Sequence, residues 1–370
     1  MEGPARRMAR PRIDDVARIA GVSKTAVSFA FNQPENLNEA TRRRILSVAS
    51  ELGYRPSPLA RRLATRQTAQ IGVVVPQATH EILANPFLSE LLRGLGDICD
   101  PEGISIVIVP PVGGSIVRSI ESALVDGLVL LGLSPNHPQL REVQAVAMAS
   151  VALDVEVWPG LDVIRIDDEG GARAAGEHLR TLGHRDIATV LIEDDPESGL
   201  AGDLGISARR LAGLRQGLGI PAAGSNGSPD AAHLRVLAST VSIDGGRAVF
   251  ELLQGEGLPT AVTTVSDVVA IGIIQAAAEA GVRVPEDLSV VGYDDIPAAT
   301  WITPQLTTVH QPIREKGRLA ARLLIDRIRS DSGHAPLTEL LATRLVVRGS
   351  TAPPRRAPPA PEGGGGGDEP

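Results

Sequence analysis

A single cysteine, Cys99, in 370 residues leaves no internal disulfide to form and no cysteine-based metal cluster. It reads as a core residue. The seven histidines are scattered, with no pair at metal-ligand spacing. No serine sits in a nucleophile elbow and no P-loop is present. The usual constellations for hydrolysis and phosphoryl transfer are therefore missing, and neither an enzyme nor a cofactor is expected. No uninterrupted apolar stretch is long enough to span a bilayer. Arginines near the N-terminus are followed by no apolar run, so no signal peptide is read and the chain is expected in the cytoplasm. Aromatic residues make up only 2% of the chain, which leaves few rings for stacking. Residues 352–370 hold prolines and five consecutive glycines. They cannot bury a core and are expected as a disordered tail.

What is present is unevenly charged. Residues 1–68 carry 13 Lys and Arg against 6 Asp and Glu, a charge of +7. The whole chain carries −8, which leaves −15 for residues 69–370. A basic head on an acidic body fits an anionic partner at one end only. The length allows such a head plus a body of two subdomains.

The head holds the clearest pattern. From Ile13 to Asn32 the chain reads as two short helices with a tight turn between them. Val16, Ala17 and Ala20 fall on one helical face, and Gly21 suits the turn. Ser23 caps a second helix that presents Val27 and Phe31 inward and leaves Lys24, Thr25, Ser28 and Phe29 pointing out. This is a helix-turn-helix, whose second helix enters the DNA major groove; the plainer alternative is an ordinary helical hairpin. A third helix follows, capped by Asn38, with Ile45, Val48, Ala49 and Leu52 at helical spacing and Gly53 past its end. Arg42, Arg43 and Arg44 on it face either phosphates or solvent. In Tyr54–Ala64, Ser57 can cap and Pro58 suits the first helical position. A helix that short needs DNA or a second copy to fold.

Residues 12–68 resemble the head of the lactose-repressor (LacI/GalR) family of bacterial transcription regulators. The motifs that carry the resemblance are Asp15-Val-Ala17, Ala20-Gly-Val-Ser23, Val27-Ser28, Asn32, Leu52-Gly-Tyr54 and Ala60-Arg-Arg-Leu63, and it continues through Thr351. It implies DNA contacts from Ser23, Lys24, Thr25, Ser28, Phe29, Asn32, Ala60 and Leu63. The leucine matching Leu63 wedges into the minor groove in the family, a known way to bend DNA. Phe29 stands where the family often has arginine, which removes one potential contact; a phenylalanine there either touches a thymine methyl or packs on the head. The tail has no leucine heptads, so the tetramerising coiled coil of some members is not expected.

In the body, short apolar runs alternate with helical patterns. Strands are expected at 71–75, 104–109, 127–131, 150–153, 163–166, 187–192, 261–265 and 289–292. Such alternation argues for parallel sheets covered by helices. With the resemblance, the expected fold is an α-helical helix-turn-helix head plus an α/β bilobal, periplasmic-binding-protein-like effector domain. The expected divisions are a flexible N-terminus (1–11), the helix-turn-helix domain (12–56), a hinge helix and linker (57–68), and the ligand-binding and dimerisation domain (69–351).

Ligands of open parallel sheets bind beyond the carboxyl ends of the strands. Several strands end in polar groups there: Asp154, the pair Asp167 and Asp168, Ser266 with Asp267, and Tyr293 with Asp294 and Asp295. Carboxylates at such places accept paired hydrogen bonds from vicinal sugar hydroxyls, and an arginine adds a forked donor. Asp267 and Asp168 read instead as helix caps. The resemblance implies effector contacts from Asp154, Arg210, Ser266, Asp294 and Gln311. Ile166 and Val241 stand where some sugar-binding members have aromatics, and Ser266 where some have asparagine. Phe87 and Trp301 remain as aromatic candidates for the pocket or the core, and the segment Gln77–Ala84 reads as a long loop bordering it.

Three classes compete: an effector-responsive regulator bound to operator DNA as a homodimer, a solute-binding protein for transport, and a sugar-modifying enzyme. The helix-turn-helix and the missing signal peptide count against the second. The missing catalytic groups count against the third.

Overall fold

The computed structural model describes residues 11–54, 68–75, 79–133, 148–155, 158–192, 205–221, 232–330 and 335–355. The chain divides into two compact units, residues 1–68 and 69–370.

In the first unit, α1 (Ile13–Ala20), α2 (Lys24–Asn32) and α3 (Glu39–Glu51) follow one another, with a 3-10 turn at Pro34–Asn36. Each begins and ends for a local reason. Asp15 accepts from the Arg12 amide at the start of α1, and Gly21 ends that helix at φ 64°. The Ser23 hydroxyl accepts from the Ala26 amide at 3.1 Å, and Asn38 Oδ1 from the Thr41 amide at 2.8 Å. Val16, Val27 and Ile45 are fully buried at the centre of the bundle. Burying side chains of this size stabilises by about 1.5–3 kcal/mol each. Phe31 packs against this core and its ring lies 5.9 Å from that of Tyr54.

The second unit contains two six-stranded sheets. The first runs in the order β11 (Thr338–Leu341), β5 (Asp162–Ile166), β4 (Ala149–Leu153), β3 (Gly127–Leu131), β1 (Gln70–Val74), β2 (Ser105–Val109), with all pairs parallel. The second runs β12 (Arg344–Val346), β10 (Thr307–His310), β9 (Ser289–Asp294), β8 (Ala261–Thr264), β6 (Asp186–Ile192), β7 (His233–Ser239). Its pairs are parallel except β12, which is antiparallel to β10. Central strands such as β3 and β8 are buried along their whole length, as parallel strands covered on both faces must be. The eight expected strands match β1–β6, β8 and β9 to within two residues. The segment expected as a loop, Gln77–Ala84, contains a helix, α4 (Thr79–Ala84).

The chain crosses between sheets after β5, after β10 and after β11. Five further helices matter for the site: α5 (Pro86–Cys99), α6 (Asp168–Leu182), α7 (Ile206–Leu218), α8 (Asp267–Glu279) and α9 (Ile313–Arg329). A Cβ on Gly317 of α9 would lie 2.4 Å from the Leu91 carbonyl of α5, and one on Gly213 of α7 only 2.1 Å from the Glu169 carbonyl of α6. Glycine there lets each helix pair close, and each close approach lies one turn or less from a site cation. The apolar cluster of the first lobe takes in Val268, Ile271 and Ile296 of the second, so the lobes share packed surface near the crossings. Cys99 is fully buried in that cluster, and burial pushes its thiol up to about 11.

Residues 352–355, expected as the start of a disordered tail, are held against the second lobe. Ala352 donates its amide to Ser289 Oγ at 3.0 Å, its carbonyl lies 2.9 Å from His184 Nε2, and Arg355 pairs with Asp287 at 2.8 Å.

Candidate functional site

Three aspartates end strands with backbones in the left-handed region: Asp154 after β4 (φ 61°), Asp294 closing β9 (φ 117°) and Asp295 beside it (φ 58°). Such conformations cost on the order of 1–3 kcal/mol each and gather at functional sites. Here they turn carboxylates off the carboxyl ends of β4 and β9.

Asp154 is held by Lys316, whose ammonium donates to Oδ1 at 2.6 Å and Oδ2 at 2.8 Å. The same ammonium donates to Gln311 Oε1 at 2.9 Å. Gln311 Nε2 in turn donates to Asp294 Oδ1 at 2.5 Å, and Ser266 favours the ionised form of Asp294. A continuous polar chain thus runs from β4 in one lobe to β8 and β9 in the other. Phe87 closes its near end, with Lys316 Nζ 5.2 Å from the ring centroid. At this distance an ammonium is attracted by the ring face.

At the far end, Arg210 of α7 donates from Nε to Asp168 Oδ1 at 2.8 Å and from Nη1 to the Val265 carbonyl at 2.5 Å. Its guanidinium lies 3.5 Å from the Tyr293 ring centroid. Arg209 pairs with the other Asp168 oxygen at 2.9 Å. Burial opposes the charge on Arg210, but Asp168, Tyr293 and Asp294 outweigh it and raise its pKa. Burial raises the Asp294 carboxyl to about 6, against the pull of Arg210, Gln311, Ser266 and Lys316. Asp267, also buried and beside Asp294, is raised as well.

The structure therefore joins Phe87, Asp154, Arg210, Ser266, Asp294 and Gln311. Ile166 is 2% exposed in an apolar cluster with Tyr293 and Val309, and shapes the floor under Tyr293. Val241 is half-buried in the turn after β7 and adds no polar group. Trp301 is 78% exposed after a 3-10 turn, Pro297–Thr300, so it serves neither core nor cleft. Both expected caps shift by one residue. Asp167, not Asp168, caps α6 by accepting from the Gly170 amide, which frees Asp168 to pair with two arginines. Ser266, not Asp267, caps α8, while Asp267 accepts from Thr308 Oγ1 at 2.5 Å and the Ile296 amide at 2.9 Å.

Lys316 joins the site without being singled out by any motif, although its spacing carries a signal: Ile313, Lys316, Gly317, Ala320 and Leu324 share one helical face, and all are buried. A lysine among apolar residues at that spacing needs a buried partner.

In the head, Lys24 and Thr25 are exposed at the start of α2, and Lys24 pairs with Asp14 at 2.5 Å. Ser23 is spent on its cap. Ser28 and Phe29 are half-buried, so neither points fully outward. Asn32 ends α2. Arg42 and Arg43 lie 3.7 and 3.6 Å from Glu39. Ala60 and Leu63 lie outside the described residues.

Among the described residues, no helix is long and apolar enough to cross a membrane, and no group of three His, Cys, Asp or Glu is placed to hold a metal ion. Residues 12–57 match the family of bacterial regulatory proteins, lacI family, and residues 177–351 match a periplasmic binding protein-like domain. The ribose operon repressor of Escherichia coli K12 is 35% identical over 322 residues, 85% of this chain and 92% of the repressor. A solved structure of the Lac repressor dimer bound to operator and the anti-inducer ONPF aligns with a TM-score of 0.74 at 28% identity, covering 92% of this chain and 99% of that one. A LacI family regulator from Enterococcus faecium, solved with bound ribose, aligns with a TM-score of 0.63 at 29% identity, covering 77% and 99%. The helix-turn-helix, the two-lobed α/β body and these matches together establish that the chain belongs to the lacI family of bacterial regulatory proteins, as a DNA-binding transcription regulator.

Proposed function

We propose that this regulator is a repressor whose operator affinity is set by a small polyhydroxylated effector, a sugar or sugar derivative, bound between the two lobes. The observation that carries the reading is the polar chain Asp154–Lys316–Gln311–Asp294, with Ser266 and Arg210 acting on its far end. It reaches both lobes at strand ends and leaves carboxylate lone pairs and guanidinium protons to meet hydroxyls. Phe87 supplies a ring, and Ile166 lies in the apolar cluster that holds Tyr293. One relative is named as the repressor of a ribose operon, and another is solved with bound ribose, a molecule of this kind.

The DNA-reading part is assigned to residues 12–56, with a hinge at 57–68 and the effector and dimerisation domain at 69–351. A homodimer would place two copies of α2 in successive major grooves of a near-palindromic site, with half-sites about 10 bp apart. Ser23, Lys24, Thr25, Ser28, Phe29 and Asn32 belong to the reading head, and Ala60 and Leu63 to the minor groove. The protein works in the cytoplasm by binding and not by turnover. Occupancy of the cleft changes the lobe angle and with it the hinge, a coupling of about 1–3 kcal/mol.

Random-site selection followed by anisotropy titration tests this. A repeated half-site and a sugar-dependent shift in operator affinity are expected. Single half-sites would refute the dimeric mode, and affinity indifferent to every sugar that binds would refute the coupling.

A further inference from the structure

Lys316 occupies a place where charge is costly. It is fully buried, on the face of α9 that also carries Ile313, Gly317 and Ala320. An ammonium has three protons and no acceptor, and here all three are spent: two on Asp154 and one on Gln311. Nothing is left for a ligand. The effect on its partners is specific. A donor-only group facing Gln311 fixes which way that amide lies. Oε1 must face the ammonium, so Nε2 faces Asp294; the flipped amide would set NH₂ against NH₃⁺ and oxygen against carboxylate. Asp294 is thereby committed to accept from Gln311. Asp154 has its charge balanced yet keeps a side chain 12% exposed, with a spare lone pair on each oxygen.

The other cation of the site is likewise tied. Arg210 is bound to Asp168 and to the Val265 carbonyl. Arg209 shares Asp168 with it, so the three cations Lys316, Arg209 and Arg210 stand against the three carboxylates Asp154, Asp168 and Asp294, and no positive charge is in surplus.

From this geometry we infer that Lys316 is a positioning residue that makes the cleft specific for an uncharged polyol and excludes the phosphate ester of the same sugar. This deepens the proposed effector class and rests on it. Hydroxyls can donate to Asp154 and Asp294 with no charge to neutralise. A phosphate dianion would find no surplus positive charge and would face two carboxylates, an arrangement that costs affinity.

Isothermal titration of the full-length protein with D-ribose, D-glucose and cellobiose, and with D-ribose 5-phosphate and D-glucose 6-phosphate, tests the inference at pH 5.5, 6.5 and 7.5. At least one neutral sugar should bind, and its phosphate ester at least 100-fold more weakly. Lys316→Met should weaken that sugar at least tenfold and add a new pH dependence, because Asp154 loses its counter-ion and takes up a proton as pH falls. The double variant Lys316→Met/Asp154→Asn leaves no buried charge unpaired and keeps the assay open should the single variant fold poorly. It should lose the added pH dependence while staying weak. A neutral sugar that binds Lys316→Met as it binds wild type, with the same pH profile, overturns the role of Lys316. A phosphate ester that binds as tightly as its neutral sugar overturns the exclusion. No binding by any neutral sugar refutes the effector reading itself and this inference with it.

Discussion

The two cations of the cleft do the same electrostatic task with different chemistry. Lys316, in the first lobe, is a point charge with all three protons taken by Asp154 and Gln311. Arg210, in the second, is a planar fork laid on Tyr293, tied through Nε and one Nη1 proton to Asp168 and a carbonyl. Asp294 adds to the pull that keeps it charged. A saturated lysine can only hold its neighbours in place. An arginine with donors to spare can hold its neighbours and also meet a ligand. The lobes thus divide the work: one supplies an oriented acceptor surface, the other a donor.

That division can be broken most severely at the acceptor both halves share. Asp294→Ala should reduce sugar affinity about 100-fold or more, since hydrogen bonds to a charged group are worth about 1.5–3 kcal/mol each. Operator binding without sugar should stay near wild type. Calorimetry and anisotropy on the same preparation check both arms.

A milder change probes the fork itself. Arg210→Lys keeps the charge but loses the planar geometry and the stack on Tyr293, and should weaken sugar binding about tenfold. An unchanged affinity would make Arg210 a counter-ion for Asp168 and nothing more.

The titration of Asp294 sharpens the comparison without mutation. Its folded-state carboxyl is raised to about 6, first by burial. Sugar hydroxyls donating to it favour the ionised form, so affinity should fall about tenfold as pH drops from 7.5 to 5. The same shift has a stability consequence of opposite sense. A carboxyl raised on folding contributes stability below its unfolded pKa and loses that contribution as pH rises through the folded value. Asp294→Asn should therefore stabilise the sugar-free protein by about 1–3 kcal/mol at pH 8, and by little at pH 4. Thermal melts at the two pH values decide it.

The smallest effect belongs to the head. Lys24 and Asp14 form an exposed pair, and such pairs are worth about 0–1 kcal/mol. Asp14→Asn should free Lys24 for phosphate and raise affinity for random DNA only a few-fold, with the gain shrinking as salt rises.

Much of this molecule is legible in its residues because local and global signals agree. The head announces itself through caps at Ser23 and Asn38, a turn at Gly21, and apolar spacing at Val16, Ala20, Val27 and Ile45. The buried parallel strands read as continuous apolar runs. The four missed strands are the ones whose pattern is diluted. β7 carries His233 and Arg235 with alternating exposure, β11 is almost wholly exposed, β12 has three residues, and β10 begins Thr-Thr. Their pairing is set by the neighbouring strand and not by their own composition.

The site divides along the same line. Asp154, Asp294 and Gln311 could be placed because strand ends and family motifs mark them. The caps of α6 and α8 came out one residue off because Asp-Asp and Ser-Asp offer two capping groups in a row. Only packing decides which carboxylate turns inward, and in both cases the second of the two does. Lys316 was hidden because a lysine on a charged helix reads as solvated until its face is counted.

The central claim is that the strand-end network around Asp294 and Arg210 carries sugar occupancy to the DNA. Its most direct test measures operator affinity by anisotropy, with and without saturating sugar, for wild type and for Arg210→Ala. Wild type should shift about 5- to 150-fold. The variant should bind operator as wild type does without sugar and show no shift at the same sugar concentration. A variant that keeps the full shift would contradict the claim, because the effector would then act from somewhere other than this cleft.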